Sequence, residues 1–145
     1  MSNITLKIGT SCDRTSALKA LNTIEGLSKW WTSQTEGSTE VGGIITFKFG
    51  ESRVDMKVIS STSEEIVWEC LSGPEEWVGT EVEFRLVSEP ETTLFFRHKG
   101  WAEESPFHHH CSMKWAVFLL SLKQSLEDGI GRPFPNDVHI TNLGN

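Results

Sequence analysis

The sequence predicts an α+β fold in which an antiparallel β-sheet is covered by one long C-terminal helix. Between residues 43 and 100, five short segments alternate apolar and polar residues, the pattern of strands with one buried face. From Ser105 to Asp128 the chain has no glycine and no proline beyond Pro106, and apolar residues recur every three or four positions. A sheet with one apolar face needs a cover, and this helix is the candidate.

The five segments predict a meander of consecutive strands at 44–49, 53–59, 66–70, 81–87 and 93–100, separated by turn residues. In each strand every second residue has inward parity and is apolar, with one histidine as the exception. These inward residues are Ile45, Phe47, Phe49, Val54, Met56, Val58, Ile66, Trp68, Cys70, Val82, Phe84, Leu86, Leu94, Phe96 and His98.

The region before the meander predicts one strand and two short helices. Residues 4–10 alternate as a half-buried strand. Asp13 and Thr23 each stand at the start of a helical segment and can accept hydrogen bonds from its free amides. Trp30 and Trp31 are adjacent on the second helix, at 24–31, so at most one of them is expected to point fully inward.

The long helix has clear signals at both ends. Ser105 can cap it, Pro106 suits its first turn, and Gly129 and Pro133 stop it. A helix of that span is about 34 Å long at ~1.5 Å per residue, enough to cross a sheet. Its predicted inner stripe consists of Cys111, Trp115, Phe118, Leu119, Leu122 and Leu126.

Length, composition and charge argue against several classes of protein. The 145 residues predict one domain, 1–145, and the net charge of −7 without a cluster of basic residues argues against nucleic acid or a membrane surface as partner. No apolar run approaches the ~18 residues of a membrane span. No leader is expected, and three widely spaced cysteines indicate reduced thiols in the cytoplasm.

The segment "SPFHHHCSMKW" (105–115) carries three of the five histidines and one cysteine. On a helix the three histidines point in different directions, and only His108 and Cys111 share the inner stripe. One hypothesis is that His98, His108 and Cys111 converge, binding a metal or pairing a thiolate with a base. The alternative is that Cys111 and His98 belong to the core and His108, His109 and His110 are solvated. In a third interpretation, His98 alone orients a ligand in an apolar pocket.

Other catalytic signatures are absent from the sequence. It has no glycine-rich phosphate loop, no GxSxG and no HExxH. The tryptophans are candidates for two roles: Trp68 and Trp115 for core packing, and Trp77 with one of Trp30 and Trp31 for a gate over an opening.

Several segments together resemble the START-like, or SRPBCC, superfamily, and within it the branch named after the activator of the heat-shock-protein-90 ATPase. They include "ALNTIEGLSKWWT", "VGGIITFKFG", "EWVGT", "HKGW" and the helix from Cys111 to "GIGRPF". The resemblance covers residues 4–134 and leaves 135–145 as a tail. It implies a helix-grip fold, in which a curved antiparallel sheet wraps around the long helix and encloses a cavity for apolar molecules.

The expected function is therefore binding of a small hydrophobic or aromatic molecule, without a cofactor, a metal or assigned catalytic residues. Two alternatives stay open: an enzyme of cyclase or dehydratase type that uses His98 and Cys111, and a chaperone-binding or protein-interaction module, with a homodimer possible. The residues expected to line the cavity are Trp31, Phe47, Phe49, Met56, Trp68, Cys70, Trp77, Phe84, Phe96, His98, Cys111, Trp115, Phe118 and Leu119.

Overall fold

A computed structural model describes residues 1–142, so the last three residues of the expected tail lie outside the described residues. Residues Glu75–Trp77 form a short 3-10 turn. In chain order the elements are β1 (Ser2–Thr10), α1 (Arg14–Asn22), α2 (Ile24–Leu27), β2 (Thr35–Gly37), β3 (Ile44–Phe49), β4 (Ser52–Ser61), β5 (Glu65–Ser72), β6 (Glu81–Val87), β7 (Thr92–Trp101) and α3 (Pro106–Asp128).

All the strands join one antiparallel sheet in the order β1-β7-β6-β5-β4-β3-β2. Strands β2 to β7 pair with their neighbours in sequence, and β1 pairs with β7. The sheet curves around α3, so the prediction of an α+β helix-grip fold is confirmed. Strand β2 was not predicted, because its three residues, Thr-Glu-Gly, carry no apolar side chain.

The register aligns the apolar positions of neighbouring strands. Phe84 on β6 lies opposite Ile66 on β5 and Phe96 on β7, and all three are at most 2% exposed. Residues directly opposite one another in an antiparallel pair project from the same face. The inward parity predicted from the sequence therefore gives a continuous apolar surface, which continues through Phe47 on β3 and Met56 on β4.

Helix α3 covers that surface. Ser105 accepts a hydrogen bond from the amide of His108 (3.2 Å) at its start, and Gly129 ends it with a φ of 81°, as predicted. Within residues 1–142 no helix, α3 included, is long and apolar enough to cross a membrane. The buried residues of α3 are His108, Cys111, Lys114, Trp115, Phe118, Leu119, Ser121 and Leu122.

The two short helices are capped as expected, but the second is shorter than predicted. Asp13 accepts from the amide of Ser16 (2.8 Å), and Thr23 accepts from the amide of Gly26 (2.9 Å). Helix α2 ends at Leu27, and turns carry the chain from there to the tryptophan pair. Because α2 ends at Leu27, Trp30 and Trp31 do not lie on a helix, and this determines how their side chains are oriented.

Candidate functional site

A cavity of about 620 Å³ lies between α3 and the end of the sheet formed by the β3–β4 turn and the segment after β5. Its volume falls within the range of ~300–1,000 Å³ typical of small-molecule sites. Most of its wall is apolar, and several polar side chains interrupt it. The lining residues are Trp31, Phe49, Ser52, Arg53, Val54, Ser72, Gly73, Pro74, Trp77, Phe107, His110, Cys111, Lys114, Trp115, Phe118 and Phe134.

Three tryptophans form the aromatic wall of the cavity. The rings of Trp77 and Trp115 are stacked with centroids 5.9 Å apart, and those of Trp31 and Trp115 are tilted at 4.9 Å. Trp31 and Trp77 are 6.4 Å apart. Indole rings present large flat apolar surfaces, so this wall is suited to contact with a flat or aromatic molecule.

Both members of the Trp30–Trp31 pair point inward, which corrects the expectation that only one could. The side chains are 0% and 1% exposed, and their rings are stacked 6.2 Å apart. Because α2 stops at Leu27, the tryptophans lie in a turn and are not held 100° apart on a helix. Trp30 donates its indole N–H to the carbonyl of Ala20 (2.8 Å), while Trp31 lines the cavity.

The segment after α3 closes one side of the cavity. Phe134 lines it and lies edge-on to Phe49, with ring centroids 5.3 Å apart. The amide of Phe134 donates to the carbonyl of Trp31 (2.7 Å), and the amide of Ser33 donates to the carbonyl of Phe134 (3.1 Å). These bonds attach the segment to the turn that carries Trp31.

A buried ion pair holds the same segment to α3. Lys114 donates to a carboxylate oxygen of Asp137 and, at 3.0 Å, to the carbonyl of Val138. The Asp137 side chain is 0% exposed and that of Lys114 is 11% exposed. The beginning of the expected tail is therefore fixed against the helix that forms the cavity wall.

His98 lies beneath the cavity wall in a chain of hydrogen bonds. Trp115 donates its indole N–H to Nδ1 of His98 (3.1 Å), and Nε2 of His98 lies 2.8 Å from Oγ1 of Thr80. The Thr80 hydroxyl donates to the carbonyl of Trp77 (2.5 Å). The indole nitrogen of Trp115, both ring nitrogens of His98 and the hydroxyl of Thr80 therefore all have hydrogen-bond partners.

These hydrogen bonds determine which nitrogen of the His98 ring carries the proton. Since an indole N–H can only donate, Nδ1 of His98 must accept, and the proton must lie on Nε2, from where it is donated to Thr80. Burial, with a smaller contribution from the charge of His108, lowers the pKa of His98 to about 3. His98 is consequently neutral at physiological pH, and its two ring nitrogens are engaged within the protein.

His98, His108 and Cys111 are not brought together as a metal site. His98 is absent from the cavity lining. Among residues 1–142, no group of three or more His, Cys, Asp or Glu side chains could hold a metal ion. The expectation that His108 is solvated is also wrong: it is 5% exposed and lies edge-on to Trp101 at 4.9 Å.

Cys111 does line the cavity, as a thiol. Burial raises its pKa to about 12, and the charge of Glu76 adds to this. The thiolate is the nucleophilic form, so Cys111 is poorly suited to covalent catalysis at neutral pH.

The predicted site residues divide into two groups. All of them except the half-buried Phe49 are buried, but the cavity lies at one end of the grip, and the others belong to the packed core. The lining residues among them are Trp31, Phe49, Trp77, Cys111, Trp115 and Phe118. Those in the core and outside the lining are Phe47, Met56, Trp68, Cys70, Phe84, Phe96, His98 and Leu119.

The sequence did not predict the polar residues of the cavity lining, nor the two phenylalanines Phe107 and Phe134. Lys114 lies three residues after Cys111 and four before Phe118, so helical spacing placed it on the inner stripe despite its charge. Phe107 lies in the first turn of the long helix, before the inner stripe begins, and Phe134 follows the helix, where no periodic pattern applies. Nothing in the sequence indicated that Arg53, beside the β3–β4 turn, would border the cavity.

Among solved structures, the chain is similar to the Aha1 dimer from Colwellia psychrerythraea, with 41% sequence identity over 90% of this chain and 100% of that chain and a TM-score of 0.82. It is also similar in fold to SSP2350 from Staphylococcus saprophyticus (18% identity, 90% and 95% covered, TM-score 0.75). An AHSA1-like protein from Aeromonas hydrophila has 13% identity, 88% and 94% coverage and a TM-score of 0.70. No family model matches the chain, and no curated protein matches it.

Proposed function

The chain belongs to the Aha1-like branch of the START-like superfamily, and from that premise we propose that it binds a small apolar or aromatic molecule in the cavity between its sheet and α3. One observation carries the proposal: a cavity of about 620 Å³ whose wall contains Trp31, Trp77 and Trp115. Apolar pockets of this size with a few polar groups are typical of ligand sites. Removal of apolar ligand surface from water supplies the driving force.

The position of Cys111 provides a way to test the proposal. Its side chain lines the cavity, so replacement by phenylalanine should fill space that a ligand needs. Met113, two residues along the same helix, is 56% exposed and absent from the lining, so Met113→Phe is a matched control. Both variants add an aromatic ring to α3, and only one adds it to the cavity.

The experiment is a titration of each protein with the uncharged fluorescent probe N-phenyl-1-naphthylamine. We expect saturable binding to the wild type and to Met113→Phe, with affinity lowered at least tenfold in Cys111→Phe, because the added ring occupies cavity volume. Thermal unfolding of each variant checks that it is folded. Absence of saturable binding to the wild type, or equal binding by all three proteins, would contradict the proposal.

Enzymatic use of His98 and Cys111 receives no support from the geometry. His98 has both nitrogens in internal hydrogen bonds and lies outside the cavity lining. The raised pKa of Cys111, about 12, keeps its thiol protonated. We therefore propose binding, and no reaction, for this cavity.

We also propose that the protein forms a homodimer. The solved structure with 41% identity to this chain is described as a dimer, and it is covered over its full length. Sedimentation velocity at micromolar concentration tests this. We expect a mass near twice the 16.3 kDa of the chain, whereas a single species at the mass of one chain would overturn the proposal.

A cytoplasmic location is a further part of the proposal. Cys12, Cys70 and Cys111 are all free thiols, and two of them are buried. Free cysteines without a disulfide framework are typical of reducing compartments.

A further inference from the structure

The outward face of α3 carries a stripe of apolar side chains. Met113, Ala116, Val117 and Leu120 lie three or four residues apart, so they are neighbours on one side of the helix, and we call them the outer stripe. Met113 is 56% exposed and Leu120 is 60% exposed, while the two smaller residues between them are half-buried. Single exposed apolar residues are ordinary, but a contiguous set of them marks an interaction surface.

The core does not explain why these four positions are apolar. At 3.6 residues per turn, Trp115 lies about 160° around the helix from Met113 and Leu122 lies about 180° from it. Trp115 and Leu122 are buried on the inner face, and Trp115 lines the cavity. The outer stripe is therefore on the opposite side of α3, where a surface helix normally carries polar and charged residues.

The outward face of α3 is also free of formal charge over several turns. His109 precedes the outer stripe and Gln124 follows it, each at a spacing of four residues. Neither these two positions nor the outer stripe contains an aspartate, glutamate, lysine or arginine. Because like charges facing one another would oppose association, their absence allows two such surfaces to approach.

The outer face of the sheet offers no comparable surface. Lys99 on β7 forms ion pairs with Glu81 (3.5 Å) and Glu83 (3.3 Å) on β6. At the other end of the sheet the exposed Ile44 lies directly opposite Lys57, so a charge interrupts the apolar surface there. Of the helices and strands within residues 1–142, only α3 carries two exposed large apolar side chains.

The outer stripe is complementary to itself. Met113 lies three residues before Ala116 and Leu120 lies three residues after Val117, so the arrangement is symmetric about a point between Ala116 and Val117. In two antiparallel copies of α3 related by a two-fold axis at that point, Met113 of each copy faces Leu120 of the other. The smaller Ala116 and Val117 meet at the centre. A two-fold interface needs a surface of this self-complementary kind.

On the basis of the proposed homodimer, we infer that two copies of the chain associate through their outer stripes, with the two α3 helices antiparallel. The rows 113–117 and 116–120 follow the i, i+4 ridges that interdigitate in the commonest class of helix packing. A stable interface takes about 800 Å² from each partner. The outer stripe forms its apolar centre, and the polar residues around the stripe form its rim.

The first test of the interface replaces Leu120 by glutamate. An exposed position accepts a carboxylate in a monomer, but in the dimer the charge would be removed from water against an apolar surface. Ile44→Glu is the matched control, because it adds the same charge at an exposed apolar position on β3, away from α3. In sedimentation velocity we expect the dissociation constant of the dimer to rise at least tenfold in Leu120→Glu and to be unchanged in Ile44→Glu. Circular dichroism checks that both variants are folded.

The second test measures the orientation of the two helices by disulfide cross-linking. Met113→Cys and Leu120→Cys are made separately in a Cys12→Ser background, which removes the partly exposed native thiol. In the antiparallel arrangement each new cysteine faces the other type, while identical positions are about 10.5 Å apart along the axis, beyond the reach of a disulfide. After the two proteins are mixed and equilibrated, oxidation with copper phenanthroline should link them several times more efficiently than it links either protein alone.

The outcomes distinguish this inference from the proposed homodimer. If the wild type sediments at the mass of one chain, both fail. If the wild type is a dimer and Leu120→Glu leaves its dissociation constant unchanged, or Ile44→Glu weakens it equally, the inference is overturned and the homodimer stands. Cross-linking of Met113→Cys and of Leu120→Cys with themselves as efficiently as with each other would overturn the antiparallel arrangement.

Discussion

Trp115 on α3 donates its indole N–H to Nδ1 of His98 on β7 across 3.1 Å, and both side chains are buried. This bond joins the covering helix to the sheet through a polar contact inside an aromatic core. Because the same histidine donates to Thr80 through Nε2, the lone pair of the neutral ring lies on Nδ1, where it accepts from Trp115. Protonation would place a second proton on the nitrogen that faces the Trp115 N–H.

His98 should make stability depend on pH. Its pKa is about 3 in the folded state against an ordinary value of 6.5, so the unfolded chain binds more protons between these limits. Stability is therefore present above pH 6.5 and is lost as the pH falls toward 3. From pH 7 to pH 5 the loss from this group is about 2 kcal/mol, measurable by urea unfolding.

Two measurements isolate His98 from the other titrating groups. In His98→Gln the same pH interval should produce a smaller change in unfolding free energy. In the wild type, nitrogen NMR of the imidazole should show the proton on Nε2 and no titration between pH 8 and 5. Titration of His98 near pH 6.5 would contradict the assignment.

Cys111 should resist alkylation in the folded protein. Burial raises its pKa to about 12, so at pH 8 only about one molecule in ten thousand carries the thiolate. Burial likewise raises the pKa of Cys70 to about 11. We expect iodoacetamide to modify the partly exposed Cys12 first and the other two only in urea, as followed by mass spectrometry. Modification of Cys111 at the rate of Cys12 would show that the cavity opens more than its geometry indicates.

Asp137→Asn should destabilise the protein strongly. It leaves the buried ammonium of Lys114 without its carboxylate, and breaking one side of a buried ion pair costs about 3–5 kcal/mol. Replacing both partners, as in Lys114→Met with Asp137→Leu, should recover most of this loss because no unpaired charge remains. Chemical denaturation of the three proteins tests the pair, and a double variant no more stable than the single one would contradict this account.

Ser105→Ala should remove the N-terminal cap of α3. The hydroxyl accepts from the amide of His108 (3.2 Å) and donates to Glu76, so the expected loss is about 1 kcal/mol. Ser112→Ala on the same helix is the control, since its hydroxyl only donates to the carbonyl of His108. We expect that control to change stability by less than about 0.5 kcal/mol. Equal effects of the two substitutions in thermal unfolding would show that the cap contributes little.

The fold could be predicted because its signals are local. Alternation along β3 to β7 and the uninterrupted helix between Ser105 and Gly129 each depend on neighbouring residues, and the structure confirms both. Strand β2 was not predicted, because its three polar or small residues show no alternation of apolar and polar side chains. It forms a strand only because β3 offers it hydrogen-bonding partners.

The cavity could be predicted only in part, because it depends on which inward side chains meet and which leave a space. Parity correctly placed Phe47 inside, and Trp31 was expected to line the cavity. The ring of Phe47 is packed against Trp31, with centroids 4.2 Å apart, while Trp31 also faces the cavity. Arg53 and Phe134 border the cavity through tertiary contacts that lie 81 residues apart in the sequence, and no local rule connects them.

The tryptophan cluster also has an optical consequence. Trp31 has the rings of Trp30, Trp68, Trp77 and Trp115 within 6.5 Å of its own, and the chain has no tyrosine to contribute emission. At such separations electronic excitation transfers between indoles faster than it decays by emission. Energy absorbed by any tryptophan of the cluster therefore reaches Trp31 and Trp115 in the cavity wall. A molecule that quenches either of these two residues should lower the fluorescence of the whole cluster, and the remaining emission should be depolarised.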